Sequence, residues 1–429
     1  MKLRRGVKFH DGTPFNAEAV RFVEDWIRDP KNGCHSEAYL KPLKTIEVVD
    51  EYTVKWNFRE PWGSFLGIIA NIPGYMISPK ALREDPRQCD THPVGTGPFV
   101  FEDRNPGSWF KVKRNPGWWF GKSVGHPDMP YFDGILTTVI PDPSVQLANM
   151  KAGIIDRMSL NKSQVDLLKN DPGIRAYAIP WSMLRGYRFN HSLPPFNDIR
   201  VRQAVAYAID RNALIRGVEF GMGRIASCIY PDDHWAHNPA LKPWPYDQEK
   251  ARQLLREAGY GNGLSIAGYV TTYRRASTLA RAEAVRNMLA EVGINWKVDV
   301  LDPAAAYERA KAGKDHLMIG DYESIHDPDL MASTLYHRAG GRNVGRSRNE
   351  AAIALIEKGR REMDPDRRQR IYFELERVLY ENCEDIWLFW EVGPIALRKN
   401  VMGFDPNGYR KYGSIWNVTH PLWFRDGRP

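Results

Sequence analysis

Three consecutive residues in the second half of the chain, followed by a fourth, have side chains suited to binding a carboxylate. Tyr273, Arg274 and Arg275 are adjacent, and Arg281 follows one or two helical turns later. A guanidinium group presents parallel N–H donors that match the two oxygens of a carboxylate. Any one of these arginines alone is better explained as an exposed residue at the start of a helix. The group together favours an acidic ligand.

Three aromatic residues, Trp181, Tyr269 and Trp390, could provide surfaces on which a ligand stacks. Each of them taken singly is more often a core residue. The chain contains 14 tryptophans and 19 tyrosines. Most of these belong in the core, but such a supply also suits a large amphipathic pocket.

Asp327 and Asp329 flank a proline and could act as paired carboxylates, which keeps a hydrolase or lyase open as an alternative. The sequence has no G-x-S-x-G, H-E-x-x-H, Walker A or G-x-G-x-x-G motif. There is therefore no positive case for catalysis. We therefore do not expect an enzyme and predict no catalytic residues.

His234 and His237, which follow Asp232 and Asp233, are candidate metal ligands. Imidazole and carboxylate groups at this spacing could bind a borderline divalent metal. They lie in a proline-flanked loop without a second cluster of partners, so a solvated polar loop is the favoured interpretation. We predict neither a metal site nor a cofactor.

The composition is that of a folded protein. The chain has 429 residues, 43% of them hydrophobic, and 60 lysines and arginines exceed 52 acids to give a net charge of +8. This length predicts two or three lobes rather than one core. The basic residues are dispersed, so we attribute the charge to solubility and expect no nucleic-acid partner.

Four cysteines, Cys34, Cys89, Cys228 and Cys383, form no Cys-x-x-Cys motif. Four cysteines allow three pairings, among which sequence cannot choose. Cys34 and Cys89 fall in one predicted lobe and could form a disulfide in an oxidising compartment. Buried free thiols are an equally good interpretation.

Residues 1–130 are predicted to form a small accessory α/β subdomain. Asn16 is the expected N-cap of its first helix. Alternating apolar residues on both sides of Asp50-Glu51 predict a β-hairpin with one buried face. Two glycines and two prolines within residues 93–99 predict a turn.

Beyond residue 130, strands and helices alternate, which predicts larger α/β lobes. We assign residues 131–190 and 401–429 to a main lobe and residues 191–400 to a second lobe. Aspartates are expected to cap the helices of these lobes, and glycines to end several of them. The expected caps are Asp142, Asp247, Asp302 and Asp364, and the expected helix-ending glycines include Gly153 and Gly313.

The segment 187–211 is the most specific in the chain. A strand leads through a proline-rich loop into a helix with one apolar face. That face is expected to contain Val201, Ala204, Val205, Ala208 and Ile209. With Asn197 as N-cap, Phe196 and Val201 would occupy the hydrophobic-staple positions.

These segments, taken in order, resemble the extracellular solute-binding proteins of ABC importers, peptide/nickel-binding class, family 5. The resemblance is carried by residues 3–20, 93–99, 187–211, 327–329 and 386–390, and it covers nearly the whole chain. It implies a periplasmic-binding-protein-like α/β fold. Such a fold has two large lobes joined by a hinge, a small accessory subdomain and a ligand cleft between the lobes.

The resemblance also implies a function. A protein of this class is a periplasmic monomer that captures a peptide-like or acidic solute and closes on it. It then delivers the solute to a permease in the membrane. Nickel-chelate binding is a further alternative, because the family includes such members. Relatives carry a signal peptide and an opening strand of the main lobe upstream, so we expect this chain to be truncated at its N-terminus.

The resemblance bears on individual residues as well. Peptide-binding relatives use arginine near the position of Tyr273–Arg275 to hold the ligand carboxylate, so a peptide, an opine or a sugar acid would fit. They also carry an aspartate at the position of Ser324, beside Tyr322 and Glu323, which pairs with the peptide ammonium. A hydroxyl cannot replace that charge, and an unpaired buried ammonium costs several kcal/mol. Either Glu323 supplies the charge or the ligand lacks a free amine.

Overall fold

The computed structural model of the chain is a mixed α/β protein. The structure describes residues 1–34, 36–271, 275–323, 327–406, 421–425 and 427. For residues 72, 88, 180–182, 275–276 and 323 it describes the backbone only. The chain divides into two compact units. Unit 1 comprises residues 1–179 and 394–429, and unit 2 comprises residues 180–393. The expected division of the chain into three parts stays a prediction.

The helices and strands of the described residues are as follows. The helices are α1 Ala17–Arg28, α2 Phe65–Ile69, α3 Pro79–Glu84, α4 Trp119–Ser123, α5 Pro143–Ala152, α6 Val165–Leu168, α7 Ile199–Ala208, α8 Arg211–Gly217, α9 Gln248–Glu257, α10 Arg275–Glu291, α11 Pro303–Ala312, α12 Pro328–Tyr336, α13 Glu350–Arg361 and α14 Pro365–Glu381. The strands are β1 Leu43–Asp50, β2 Thr53–Phe58, β3 Phe99–Asn105, β4 Trp109–Arg114, β5 Gly134–Thr138, β6 Arg157–Ser159, β7 Ile174–Phe189, β8 Gly223–Ile225, β9 Leu264–Thr271, β10 Ile294–Leu301, β11 Leu317–Ile319, β12 Tyr322–Glu323, β13 Asp385–Arg398, β14 Val401–Met402 and β15 Trp423–Phe424.

Unit 1 contains two small antiparallel sheets near its start. The predicted hairpin is present as β1 and β2, which pair Ile46 with Trp56 and Val48 with Val54. Strands β3, β4 and β5 form the second sheet. Asn16 caps α1 as predicted, accepting the Ala19 N–H at 3.0 Å.

Unit 2 is built on a mixed sheet in which β10, β9, β11, β7 and β13 are neighbours in that order. Strands β9 and β10 are parallel and are connected by α10, so the three elements form a βαβ unit. Strand β12 pairs with β7, and β8 pairs with β13. The predicted apolar face of α7 is in the core, since Val201, Ala204, Val205 and Ala208 are fully buried.

Helix ends follow the predicted pattern with one exception. Asp142, Asp247, Asp302 and Asp364 cap α5, α9, α11 and α14 as expected. Gly153 and Gly313 end α5 and α11 with φ of 76° and 64°, a left-handed conformation that glycine adopts without strain. The prediction of Asn197 as the α7 cap is wrong.

Asp198 takes the place of Asn197 as the cap of α7. Its carboxylate accepts the Arg200 N–H at 2.9 Å and also pairs with the Arg200 side chain at 2.6 Å. An aspartate can satisfy the free N–H and a nearby cation together, whereas an asparagine provides no charge. With the helix starting one residue later, Phe196 and Val201 no longer occupy staple positions, although both are buried core residues.

The four cysteines are free thiols. Cys228 and Cys383 are buried in unit 2, and Cys34 and Cys89 in unit 1 are half-buried. Among the described residues, the helices lack the combination of length and apolar character that crossing a membrane requires.

Candidate ligand-binding site

Unit 2 contains a buried cluster of two arginines and two acids, which includes the predicted site residue Arg281. Nη2 of Arg281 donates to the two carboxylate oxygens of Asp321 at 2.9 and 2.8 Å. Nη1 of Arg185 donates to Asp321 Oδ2 at 2.6 Å, and Nη2 of Arg185 pairs with Glu391. We term these four residues the Arg281 cluster.

The Arg281 cluster joins four parts of unit 2. Arg281 is on α10, Arg185 is on β7, and Glu391 is on β13. Asp321 lies between β11 and β12, where its Oδ1 also accepts the backbone N–H of Gly186 at 3.3 Å. The cluster therefore fixes α10 and the segment that enters β12, which are the two regions where the sequence predicts ligand contacts.

The charges of the Arg281 cluster balance within the protein. Burial alone would raise the pKa of Asp321, but Arg281 and Arg185 outweigh it and hold that pKa below its ordinary value. Arg281 is 1% exposed, and burial alone would lower its pKa, but Asp321 and Tyr187 together raise that pKa above its ordinary value. A ligand carboxylate would have to compete with Asp321 for Arg281, whose role in binding stays a prediction.

Tyr322, another predicted site residue, is held by a second buried network. Its hydroxyl accepts from Arg188 Nη1 at 3.2 Å. Nε of Arg188 donates to Asp385 Oδ1 at 3.1 Å, and the Tyr336 hydroxyl donates to Asp385 Oδ2 at 2.6 Å. Burial raises the pKa of Asp385 to about 6, against the opposing charge of Arg188. Tyr322 is therefore oriented by a fixed guanidinium.

Tyr269 and Trp390, the predicted stacking residues, lie in the interior of unit 2. Tyr269 on β9 packs with Ala306 and Met318, and Trp390 on β13 is fully buried. Burial, and after it the charge of Asp315, raises the pKa of Tyr269 to about 12. Their role in ligand stacking stays a prediction.

The remaining predicted contacts are described in part or not at all. Tyr273, Arg274 and Ser324 lie outside the described residues. Three others are described by their backbone: Trp181 within β7, Arg275 as the first residue of α10, and Glu323 in β12, where it is paired with Met183 of β7.

Asp327 and Asp329 have structural partners. Asp327 caps α12 by accepting the Asp329 N–H at 3.0 Å. Its two carboxylate oxygens accept hydrogen bonds from the Arg368 guanidinium at 2.9 and 2.7 Å. The Asp329 carboxylate accepts hydrogen bonds from Nε of Arg360 at 3.1 Å and from the hydroxyl of Ser333. Both carboxylates are thus engaged by structural partners, so the hydrolase or lyase alternative is not favoured.

The loop with His234 and His237 is also explained by packing. His234 stacks on Tyr230, with ring centroids 5.1 Å apart. Nδ1 of His237 lies 3.3 Å from Oε2 of Glu376, whose carboxylate raises the His237 pKa although burial alone would lower it. Within the described part of the chain, no three His, Cys, Asp or Glu side chains are grouped to hold a metal ion.

Sequence reasoning missed Arg185, Asp321 and Glu391. Arg185 and Glu391 each occur in or directly after an apolar strand, which is a signal of a buried charge that needs a partner. Asp321 carries no comparable signal. Its role depends on two arginines 136 and 40 positions away in the chain.

Solved structures show that the fold of this chain is that of the periplasmic binding proteins. The periplasmic binding protein DppA from Helicobacter pylori, in complex with peptide STSA, aligns with a TM-score of 0.84 and 23% identity over 99% of this chain and 86% of that one. AgaA from Agrobacterium tumefaciens R10, in complex with agropinic acid, aligns with a TM-score of 0.84 and 25% identity over 99% and 86% of the two chains.

Sequence comparison then identifies the family. The family described as "Bacterial extracellular solute-binding proteins, family 5 Middle" matches residues 1–343, and the chain belongs to it. The glutathione-binding protein GsiB of Escherichia coli O1:K1 / APEC is 30% identical over 415 residues, 94% of this chain and 80% of the relative. The family consists of solute-binding proteins that work with ABC importers, and its members are periplasmic.

Proposed function

We propose that this chain is the receptor subunit of an ABC importer that captures a small acidic solute, peptide-like or opine-like, and delivers it to a membrane permease. The main observation in support of an acidic solute is that α10 begins at Arg275. Arg274 and Tyr273 directly precede this helix in the chain. The N-terminus of a 17-residue helix favours an anion, and two adjacent guanidinium groups would add charge and paired donors.

The named relatives support the same class of solute. GsiB is a glutathione-binding protein, and AgaA is in complex with agropinic acid. Glutathione and agropinic acid both contain carboxylates. An acidic group is therefore the chemistry that these solutes share.

A free amine on the solute is a separate question. We propose that the amine end of the solute is met by Tyr322, Glu323 and Ser324, because Asp321 anchors the residues that precede them. If Glu323 supplies the carboxylate, a peptide with a free ammonium fits. If Glu323 plays no part, the solute lacks a free amine, since Ser324 has no charge to offer.

Native mass spectrometry of the purified protein would first show whether a small molecule co-purifies. Calorimetry would then compare glutathione and agropinic acid with derivatives in which the carboxylates are amidated. We expect binding of an acidic solute that amidation abolishes. Replacing Arg274 and Arg275 by alanine should weaken binding, whereas Arg286→Ala should not. Arg286 is the matched control, because it is an exposed arginine of α10 paired with Glu283.

The result that would overturn the proposal is equal binding of acidic and amidated solutes, or unchanged binding by the Arg274 and Arg275 variant. Glu323→Gln tests the amine. Loss of affinity for glutathione, together with unchanged affinity for an N-acetylated derivative, would indicate that Glu323 pairs with the ammonium.

A further inference from the structure

Unit 1 contains an open groove between α1, β1 and α3 that has no part in the proposed solute site. Its volume is about 590 Å³. Five cationic side chains line it, contributed by all three elements: Arg21, Arg28, Lys44, Lys80 and Arg83. The described lining also includes two acids, Glu18 and Asp25. The groove therefore has an excess of three positive charges.

The two acids are already paired within α1. Glu18 lies 2.6 Å from Nη2 of Arg21, and Asp25 lies 3.4 Å from Nη1 of Arg28. The excess charge therefore resides on Lys44, Lys80 and Arg83. Lys80 approaches Glu84 only to 3.9 Å at an exposed position. Within the described residues, neither Lys44 nor Arg83 has an ion-pair partner.

Two of these cations are held in place before any anion arrives. The Arg83 guanidinium lies 4.2 Å from the centroid of the Phe22 ring, a cation–π distance. Nη2 of Arg28 donates to the carbonyl oxygens of Leu43 and Lys44 at 3.1 and 3.0 Å. This ties α1 to β1, so two walls of the groove are fixed relative to each other.

The charge of the groove fits the charge of unit 1 as a whole. Unit 1 contains 30 lysines and arginines against 23 acids, whereas unit 2 contains 30 against 29. Seven of the eight net positive charges of the chain therefore belong to unit 1. Long-range attraction of anions is directed toward this unit, and it weakens as salt is added.

We propose that this groove is an anion-binding site that takes a phosphate-bearing polyanion with two or three negative charges. A single carboxylate would leave most of the excess charge unmatched. A phosphate group offers several oxygens to arginine forks and lysine point charges at once. The same chemistry is offered by a soluble phosphate compound and by the headgroups of an anionic lipid surface.

Two measurements on the full chain separate these sources. Calorimetry at low ionic strength uses inorganic pyrophosphate, and flotation uses phosphatidylglycerol vesicles with phosphatidylcholine vesicles as reference. Lys44→Ala with Arg83→Ala should weaken pyrophosphate or vesicle binding by about tenfold or more, since two charges are lost. The control replaces Lys122 and Arg104, two exposed cations of unit 1 outside the groove, and should leave binding unchanged.

Binding of pyrophosphate supports a soluble ligand, and binding of anionic vesicles alone supports lipid headgroups. The proposal is overturned if the groove variant binds as the wild type does, if the control loses as much, or if neither probe binds. Thermal unfolding without anions checks that the variants fold. Lys44→Gln alone, at an exposed position, provides a second test if the double variant does not fold. Retained solute binding by these variants would separate this site from the proposed function.

Discussion

Arg281 and Asp321 form a buried pair in which one guanidinium nitrogen, Nη2, contacts both carboxylate oxygens, at 2.9 and 2.8 Å. Arg185 approaches the same carboxylate from β7. Arg281, which the sequence analysis predicts as a ligand contact, thus already has a partner inside unit 2, Asp321. We infer that this pair positions α10. The proposed solute contacts are Arg275, the first residue of this helix, and Arg274, which precedes it in the sequence.

Asp321→Asn should destabilise unit 2 by about 3 kcal/mol, because breaking a buried pair leaves the remaining charges uncompensated. Arg281 and Arg185 are both nearly fully buried and would lose their shared carboxylate. Urea unfolding followed by circular dichroism measures the change. Asp128→Asn, at an exposed aspartate of unit 1, is the control and should change stability by less than about 0.5 kcal/mol.

A double-mutant cycle distinguishes the pair from simple packing. Arg281→Met combined with Asp321→Asn should cost clearly less than the sum of the two single changes, because the second change removes a charge that the first left unpaired. Additive costs would show that Arg281 and Asp321 do not stabilise each other.

Tyr336→Phe should destabilise unit 2 by about 2 kcal/mol, since the Tyr336 hydroxyl donates to the buried Asp385 at 2.6 Å and hydrogen bonds to charged groups are among the stronger ones. The same network holds Tyr322 through Arg188, so solute affinity should also fall. Tyr307→Phe, at an exposed tyrosine, is the matched control. An unchanged unfolding midpoint for Tyr336→Phe would contradict this account.

The fold could be predicted far better than the site. Helix caps, helix-ending glycines and alternating strands are local signals, and Asn16, Asp247 and Gly313 occupy the predicted places. The Arg281 cluster joins residues from position 185 to position 391, so no local pattern reveals it. Arg185 and Glu391 could have been noticed as charges beside apolar strands, but only three-dimensional proximity connects them to Asp321.

The α7 cap shows the limit of the local signals as well. Asn197 and Asp198 are both good cap residues, and sequence alone does not choose between neighbours. Asp198→Ala should destabilise the protein by about 1 kcal/mol, whereas Asn197→Ala should have a much smaller effect, because only Asp198 accepts the Arg200 N–H. Urea unfolding of the two variants side by side measures this. A larger loss for Asn197→Ala would restore the original prediction.

Glu24 makes the stability of unit 1 depend on pH. It is fully buried on α1, and within the described residues neither of its carboxylate oxygens has a hydrogen-bond partner. Burial raises its pKa from the ordinary 4.5 to about 8, Arg28 opposing this and Asp25 adding to it. The folded chain holds this proton more tightly than the unfolded chain does. The contribution of protonated Glu24 to the free energy of unfolding is therefore complete below about pH 4.5 and is lost as the pH rises through 8.

Glu24→Gln removes this titration while keeping the shape of the side chain. Between pH 7 and pH 9, the wild type should lose about 1 kcal/mol more stability than Glu24→Gln, as expected for a group with a pKa of about 8. Urea unfolding at closely spaced pH values measures the difference. Glu84→Gln, at an exposed glutamate of α3, should follow the wild type across the same range. Parallel curves for the wild type and Glu24→Gln would mean that Glu24 is ionised in the folded chain.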